Sequence, residues 1–85
     1  MSTEIEIGTI THYFGHLNVA AIKLTASLAV GDTLRIRGHT SDLTVTVDSI
    51  QIEHKSVQKA AQGDNVGITV PGHVREHDKV YKVAP

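Results

Sequence analysis

Gly31-Asp32-Thr33-Leu34-Arg35-Ile36-Arg37 decides how this chain is read, because the same device returns twice. The other copies are Gly63-Asp64-Asn65-Val66-Gly67-Ile68-Thr69-Val70 and His77-Asp78-Lys79-Val80-Tyr81-Lys82-Val83. Each is a turn residue, an aspartate and then an extended β-branched stretch. A Gly-Asp step supplies the positive φ of a tight turn, and the alternation behind it reads as strand. Asp32, Asp64 and Asp78 are therefore expected to bond backbone N–H groups at the turns. Punctuation this dense implies an all-β domain with hardly any helix.

Working outward, Glu4–Phe14 reads as a first strand, with Ile5 and Ile7 on one face. After Gly8 the apolar positions move to Ile10, His12 and Phe14, the parity change of a β-bulge. Gly15–Asn18 make a turn into Val19–Leu24, and Leu28 and Val30 in the link that follows are placed at one end of the core. Thr33–Arg37 puts Leu34 and Ile36 inward, and Arg35 and Arg37 outward. Gly38–Asp42 is a loop. Leu43–His54 reads as one long strand bent at Asp48-Ser49, as a barrel requires where a strand serves two sheets. Lys55–Gln62 is expected to form one helical turn whose Val57, Ala60 and Ala61 cover the barrel mouth. Asn65–Val70 and Lys79–Val83 complete six strands, separated by a turn at Pro71-Gly72-His73.

The 85 residues form one domain, with an ordered core expected over about 4–83. One Phe and two Tyr leave the core to aliphatic side chains, and the absence of cysteine excludes disulfides and thiolate metal sites. No apolar run approaches the ~20 residues of a membrane span, and Met1-Ser2-Thr3-Glu4 is no signal peptide, so a cytoplasmic protein is expected. The net charge of −1 provides no basic field for nucleic acid. Six histidines make the charge sensitive to pH near ~6.5.

Few residues carry chemistry. His12/His16 and His73/His77 have i, i+4 spacing, but glycine and proline beside them argue against a helix, and no metal or other cofactor is expected. No serine lies in a Gly-x-Ser-x-Gly elbow, and no phosphate-binding Gly-x-x-x-x-Gly-Lys-[Ser/Thr] segment is present. The chain is read as non-enzymatic, without nucleotide. His54-Lys55 with Lys59 offers a phosphate contact or a solvated rim. Arg35 and Arg37 offer planar forks or a charge row that blunts a sheet edge. Tyr13, Phe14 and Tyr81 offer a stacking surface or ordinary packing.

Four stretches resemble the second domain of translational GTPases such as elongation factor Tu. They are Leu28–Ile36, Val47–Lys55, Gln62–Ile68 and Val74–Val80. A closer likeness, carried by Ile7–Phe14 and Gln51–Lys55, is to small translation elongation factor-like proteins. It extends to the barrel at the C-terminus of collagenase-like peptidase-family proteins. The resemblance implies a six-stranded, closed or nearly closed β-barrel of the translation-protein type. His77 departs from it, standing where relatives place glycine.

In elongation factor Tu the end of the long strand helps to hold a terminal adenosine with a carboxylate and an arginine. Carry-over puts Gln51 at the first position, His54 at the second and Lys55 at the lysine that follows. Both principal residues differ from the family's. The resemblance therefore implies a binding module contacting tRNA or ribosomal RNA through Arg35, Arg37, Gln51, His54, Lys55 and Lys59. The alternative is a protein-docking module for a peptidase-family or other catalytic partner. Either would be a monomer or a weak homodimer.

Overall fold

The three turn-aspartate devices fold as one object repeated. The computed structural model describes residues 3–38 and 42–84, so His39–Ser41 of the expected loop lie outside the described residues. The carbonyls of Ala29, Ala61 and Arg75 accept the N–H of Asp32, Asp64 and Asp78 at 3.1, 3.1 and 3.2 Å. In return each carboxylate accepts the N–H of that same residue, at 2.9, 2.9 and 3.0 Å. The residue before the aspartate has φ +97° at Gly31, +93° at Gly63 and +74° at His77, as a type II turn requires at its third position.

Each turn then clamps one residue of another segment from both sides. Val47, Leu24 and Ile10 donate to the carbonyls of Asp32, Asp64 and Asp78, and accept from the amides of Gly31, Gly63 and His77. All three clamped side chains are buried in the core. The motif that punctuates the sequence therefore also anchors the sheet.

The chain forms ten strands: β1 Thr3–Phe14, β2 Val19–Leu24, β3 Leu28–Ala29, β4 Thr33–Arg37 and β5 Asp42–Thr46, then β6 Ile50–Ile52, β7 Lys55–Val57, β8 Lys59–Ala60, β9 Asn65–Thr69 and β10 Lys79–Ala84. Eight of them make an antiparallel sheet in the order β5-β4-β10-β1-β2-β9-β6-β7, while β3 and β8 pair separately. β5 ends this order and β6 is next to last at the other end, yet the two are joined by residues 47–49. Four Cα steps reach at most about 14 Å, so the sheet has to curl until its ends approach.

The all-β expectation stands; in place of the expected six-stranded, closed or nearly closed barrel there is a curled sheet of eight strands, with no closed barrel among the described residues. Among the described residues the sheet stays open, with β5 at one end and β7 at the other. The expected long strand Leu43–His54 is two strands, because residues 47–49 leave the ladder to meet the Gly31-Asp32 turn. The expected helical turn over Lys55–Gln62 is instead β7 and β8, since Lys55–Val57 pairs with β6 and Lys59-Ala60 with β3.

β1 changes parity twice. The bulge expected at Gly8 is there, between Glu6 and Gly8, and a second falls between Ile10 and His12. The second bulge turns Tyr13 onto the core and leaves His12 and Phe14 exposed, where single-parity reading had placed them with Ile10. Ile5 is also exposed, at 53%, and does not share the burial of Ile7. The core is aliphatic as expected, built from Ile7, Ile10, Ile22, Leu34, Ile36, Ile50 and their neighbours. Leu28 is buried and Val30 half-buried.

Candidate functional site

The sequence-derived binding residues do not converge. Arg35 and Arg37 project from β4 as expected, but β4 lies between β5 and β10, so their row does not blunt an edge. Both are engaged within the chain. Arg35 forms a fork on Asp42, with Nε–Oδ1 at 3.1 Å and Nη2–Oδ2 at 3.3 Å. The hydrogen bond and charge of Asp42 raise the Arg35 pKa, and the same bond holds the Asp42 carboxyl below its ordinary value. Arg37 meets Glu4 at 3.1 Å and stands 5.9 Å over the Tyr81 ring, so Tyr81 packs under a cation. Lys59 lies on β8 in the small sheet, and Lys55 opens β7.

The structure does gather Gln51 and His54, together with residues the sequence reading assigned elsewhere. They border a groove of about 340 Å³. Its floor comes from β2 and β9, as Val19, Ala21, Val66 and Gly67. Phe14 and Leu17, at the tip of the β1–β2 hairpin, form one wall, while Gln51, Glu53, His54 and Asn65 supply a polar rim. Phe14 is 45% exposed and Leu17 67%, so two large apolar side chains flank an apolar floor in water. A grouped apolar exposure of this kind marks an interaction surface more often than a scattered one does.

Local geometry explains both walls. The tip is a four-residue turn over residues 15–18 in which Leu17 N–H donates to the Phe14 carbonyl at 3.1 Å and Asn18 is left-handed at φ +53°. That turn pushes Leu17 outward. Opposite it, Ile52 pairs with Lys55, so Glu53-His54 is a two-residue hairpin loop. Its φ values of +50° and +67° match the type I′ turn that antiparallel strands favour. Such turns normally carry Asn-Gly; two ordinary side chains there cost about 1 kcal/mol each. Strain of this kind clusters beside functional surfaces. The sequence offered no Asn-Gly or Asp-Gly signal, which is why His54 was read as continuing a strand.

The histidine pairs do not act as pairs. His12 lies 3.5 Å from Glu76 and packs edge-on against Phe14, with ring centroids 4.4 Å apart. His73 packs edge-on against Tyr13 at 4.7 Å. Among the described residues no three His, Asp or Glu side chains are grouped to hold a metal ion, and no helix is long and apolar enough to cross a membrane.

The fold is that of a small β domain also seen in a solved structure. The chain superimposes on the C-terminal domain of a Geobacillus thermoleovorans protein assigned to the U32 peptidases, with a TM-score of 0.84 over 89% of each chain at 16% identity. It is 40% identical over 79 residues, 92% of its length, to an uncharacterized protease of Methanocaldococcus jannaschii. It is 33% identical over 81 residues to a collagenase of Porphyromonas gingivalis. The chain is thus homologous to a segment of peptidase-family proteins and spans about one-fifth of the length of these curated relatives, 19% and 20% respectively. No family model matches it. These relatives bear out the expected likeness to collagenase-like peptidases and lend none to the likeness with translation factors.

Proposed function

We propose that this domain is a non-catalytic docking module that seats on the catalytic portion of a U32-type peptidase protein, using the Phe14–Leu17 groove. The observation that carries the reading is one of proportion. Nearly the whole chain corresponds to a fifth of proteins called protease or collagenase, so in those proteins the same module is tethered to a much larger remainder. The groove supplies the physical means, because a partly exposed aromatic beside an apolar floor is the usual anchor of a protein interface.

RNA contact draws no comparable support. Arg35 and Arg37 are spent on Asp42 and Glu4, Lys59 lies on a different sheet, and the net charge is −1. Gln51 and His54 keep a role as the polar rim of the docking groove.

The test is calorimetric titration of this chain into the M. jannaschii protease from which the matching segment has been deleted, with the intact protease as control. A complex with the deleted form alone is expected. Phe14→Ala and Leu17→Glu should each weaken it at least about tenfold, as loss of an interface anchor does. No complex, or one that ignores both substitutions, would refute the reading.

A further inference from the structure

We infer that the free edge of β5 is a second binding site, which takes an extended peptide segment as an added strand. The inference concerns a different cleft from the Phe14–Leu17 groove, adjoining it through the Val19–Thr69 pairing, and does not depend on it. β5 ends the sheet order, so among the described residues one of its sides has no neighbouring strand. Which groups face that side follows from the register. Val47 N–H donates to the Asp32 carbonyl, making 47 and 32 a hydrogen-bonded pair. With Thr33 opposite Thr46 and Leu34 opposite Val45, alternation directs Val45 and Leu43 toward β4. The N–H and C=O groups of Thr44 and Thr46 therefore point away from the sheet. Among the described residues neither amide has a backbone acceptor on that side.

Those two threonines border a cleft of about 300 Å³. The far side is Thr69-Val70-Pro71, where the chain has run past the last β6–β9 pairing at Ile50–Ile68. Val45 and Val70 are buried beneath it, so the floor is closed and apolar. Asp48 is the one charged lining residue.

Exposed edges invite pairing, and proteins ordinarily blunt them with lysine, proline, a bulge or brevity. β7, at the opposite end, has three residues and opens with Lys55. β5 has five residues, Asp42-Leu43-Thr44-Val45-Thr46, with no lysine, no proline and a bulge-free register against β4. It is the unguarded edge, and it opens onto a cleft instead of flat solvent. A short β-forming peptide whose alternate side chains are valine or isoleucine fits that floor, and a flanking lysine or arginine complements Asp48. This is strand addition, in which main-chain bonds give affinity and the cleft selects side chains.

The probe is a capped Lys-Val-Thr-Val-Thr-Lys peptide, titrated into the 15N-labelled chain by NMR, beside its alternately N-methylated counterpart. The expected result is slowed hydrogen exchange at the Thr44 and Thr46 amides with the first peptide. The N-methylated peptide should bind at least about tenfold more weakly, because each lost main-chain bond weakens binding by up to that factor. Thr44→Pro removes an outward donor that no β4 bond uses, and should reduce affinity similarly. Asp48→Lys should weaken binding of the cationic peptide. Equal binding of the two peptides would overturn the inference even if Thr44→Pro fails to fold. So would shifts confined to Phe14 and Leu17, no binding at millimolar peptide, or protection of Thr44 and Thr46 arising instead from concentration-dependent pairing of two copies.

Discussion

Exchanging the residue at the left-handed position among the three turns isolates one physical quantity. Gly31 and Gly63 sit at φ +97° and +93°, and a Cβ built on either meets nothing within 4 Å. Replacing either by alanine therefore adds no clash, and the effect is conformational. The left-handed backbone costs an L-residue about 1–2 kcal/mol. About 0.5–1 kcal/mol returns because alanine has less freedom than glycine to lose from the unfolded chain. Gly31→Ala and Gly63→Ala are thus each expected to destabilise by about 0.5–1 kcal/mol.

The converse holds at His77, exposed at φ +74°. His77→Gly should stabilise by about the same amount, about 0.5–1 kcal/mol. Urea denaturation reads both, with an unchanged slope and a moved midpoint. A domain of this size converts 1 kcal/mol into a shift of about 4–8 °C in Tm. Alanine variants indistinguishable from the parent would refute the assignment of these turns. A loss of stability in His77→Gly would show that the imidazole makes a contact worth more than the strain it bears.

Gly8→Ala should destabilise by about 1–3 kcal/mol, the range for overpacking. A Cβ there would lie 2.7 Å from Ile22 Cγ2 and 2.7 Å from the Lys23 carbonyl, both fixed by the β1–β2 ladder; thermal denaturation reads it. The Asp42 carboxyl should titrate below the ordinary aspartate value in a carbon-detected NMR titration, because Arg35 bonds to its charged form. Arg35→Met should return it upward. A carboxyl depressed in the fold adds stability above its unfolded pKa and loses it as pH falls through the folded value. The Arg35→Met difference in stability should therefore shrink in acid.

How much of the site could be read in advance depends on what kind of interaction positions each residue. The resemblance singles out Gln51 and His54, and both line the groove, though beside Phe14 and Leu17 instead of Lys55 and the two arginines. Phe14 was misplaced because a parity argument holds only until the next bulge, and the bulge between Ile10 and His12 has no glycine to announce it. The Glu53-His54 turn was invisible for a related reason. It takes left-handed backbone from residues that do not prefer it, and the pairings of β6 with β7 and β9 impose that conformation.

The chain's own letters determined the turns, the strands behind them and an aliphatic interior. Each depends on local backbone preference or on period-two alternation, which neighbouring residues express without help. Tertiary structure decided what those letters leave open: that eight strands share one curled sheet, that Asp42 and Glu4 occupy the arginines, and that a hairpin tip meets a strained turn across an apolar floor. These outcomes join residues far apart in sequence. Their energies arise from register, bulges and pairing between strands, and no single segment carries that information.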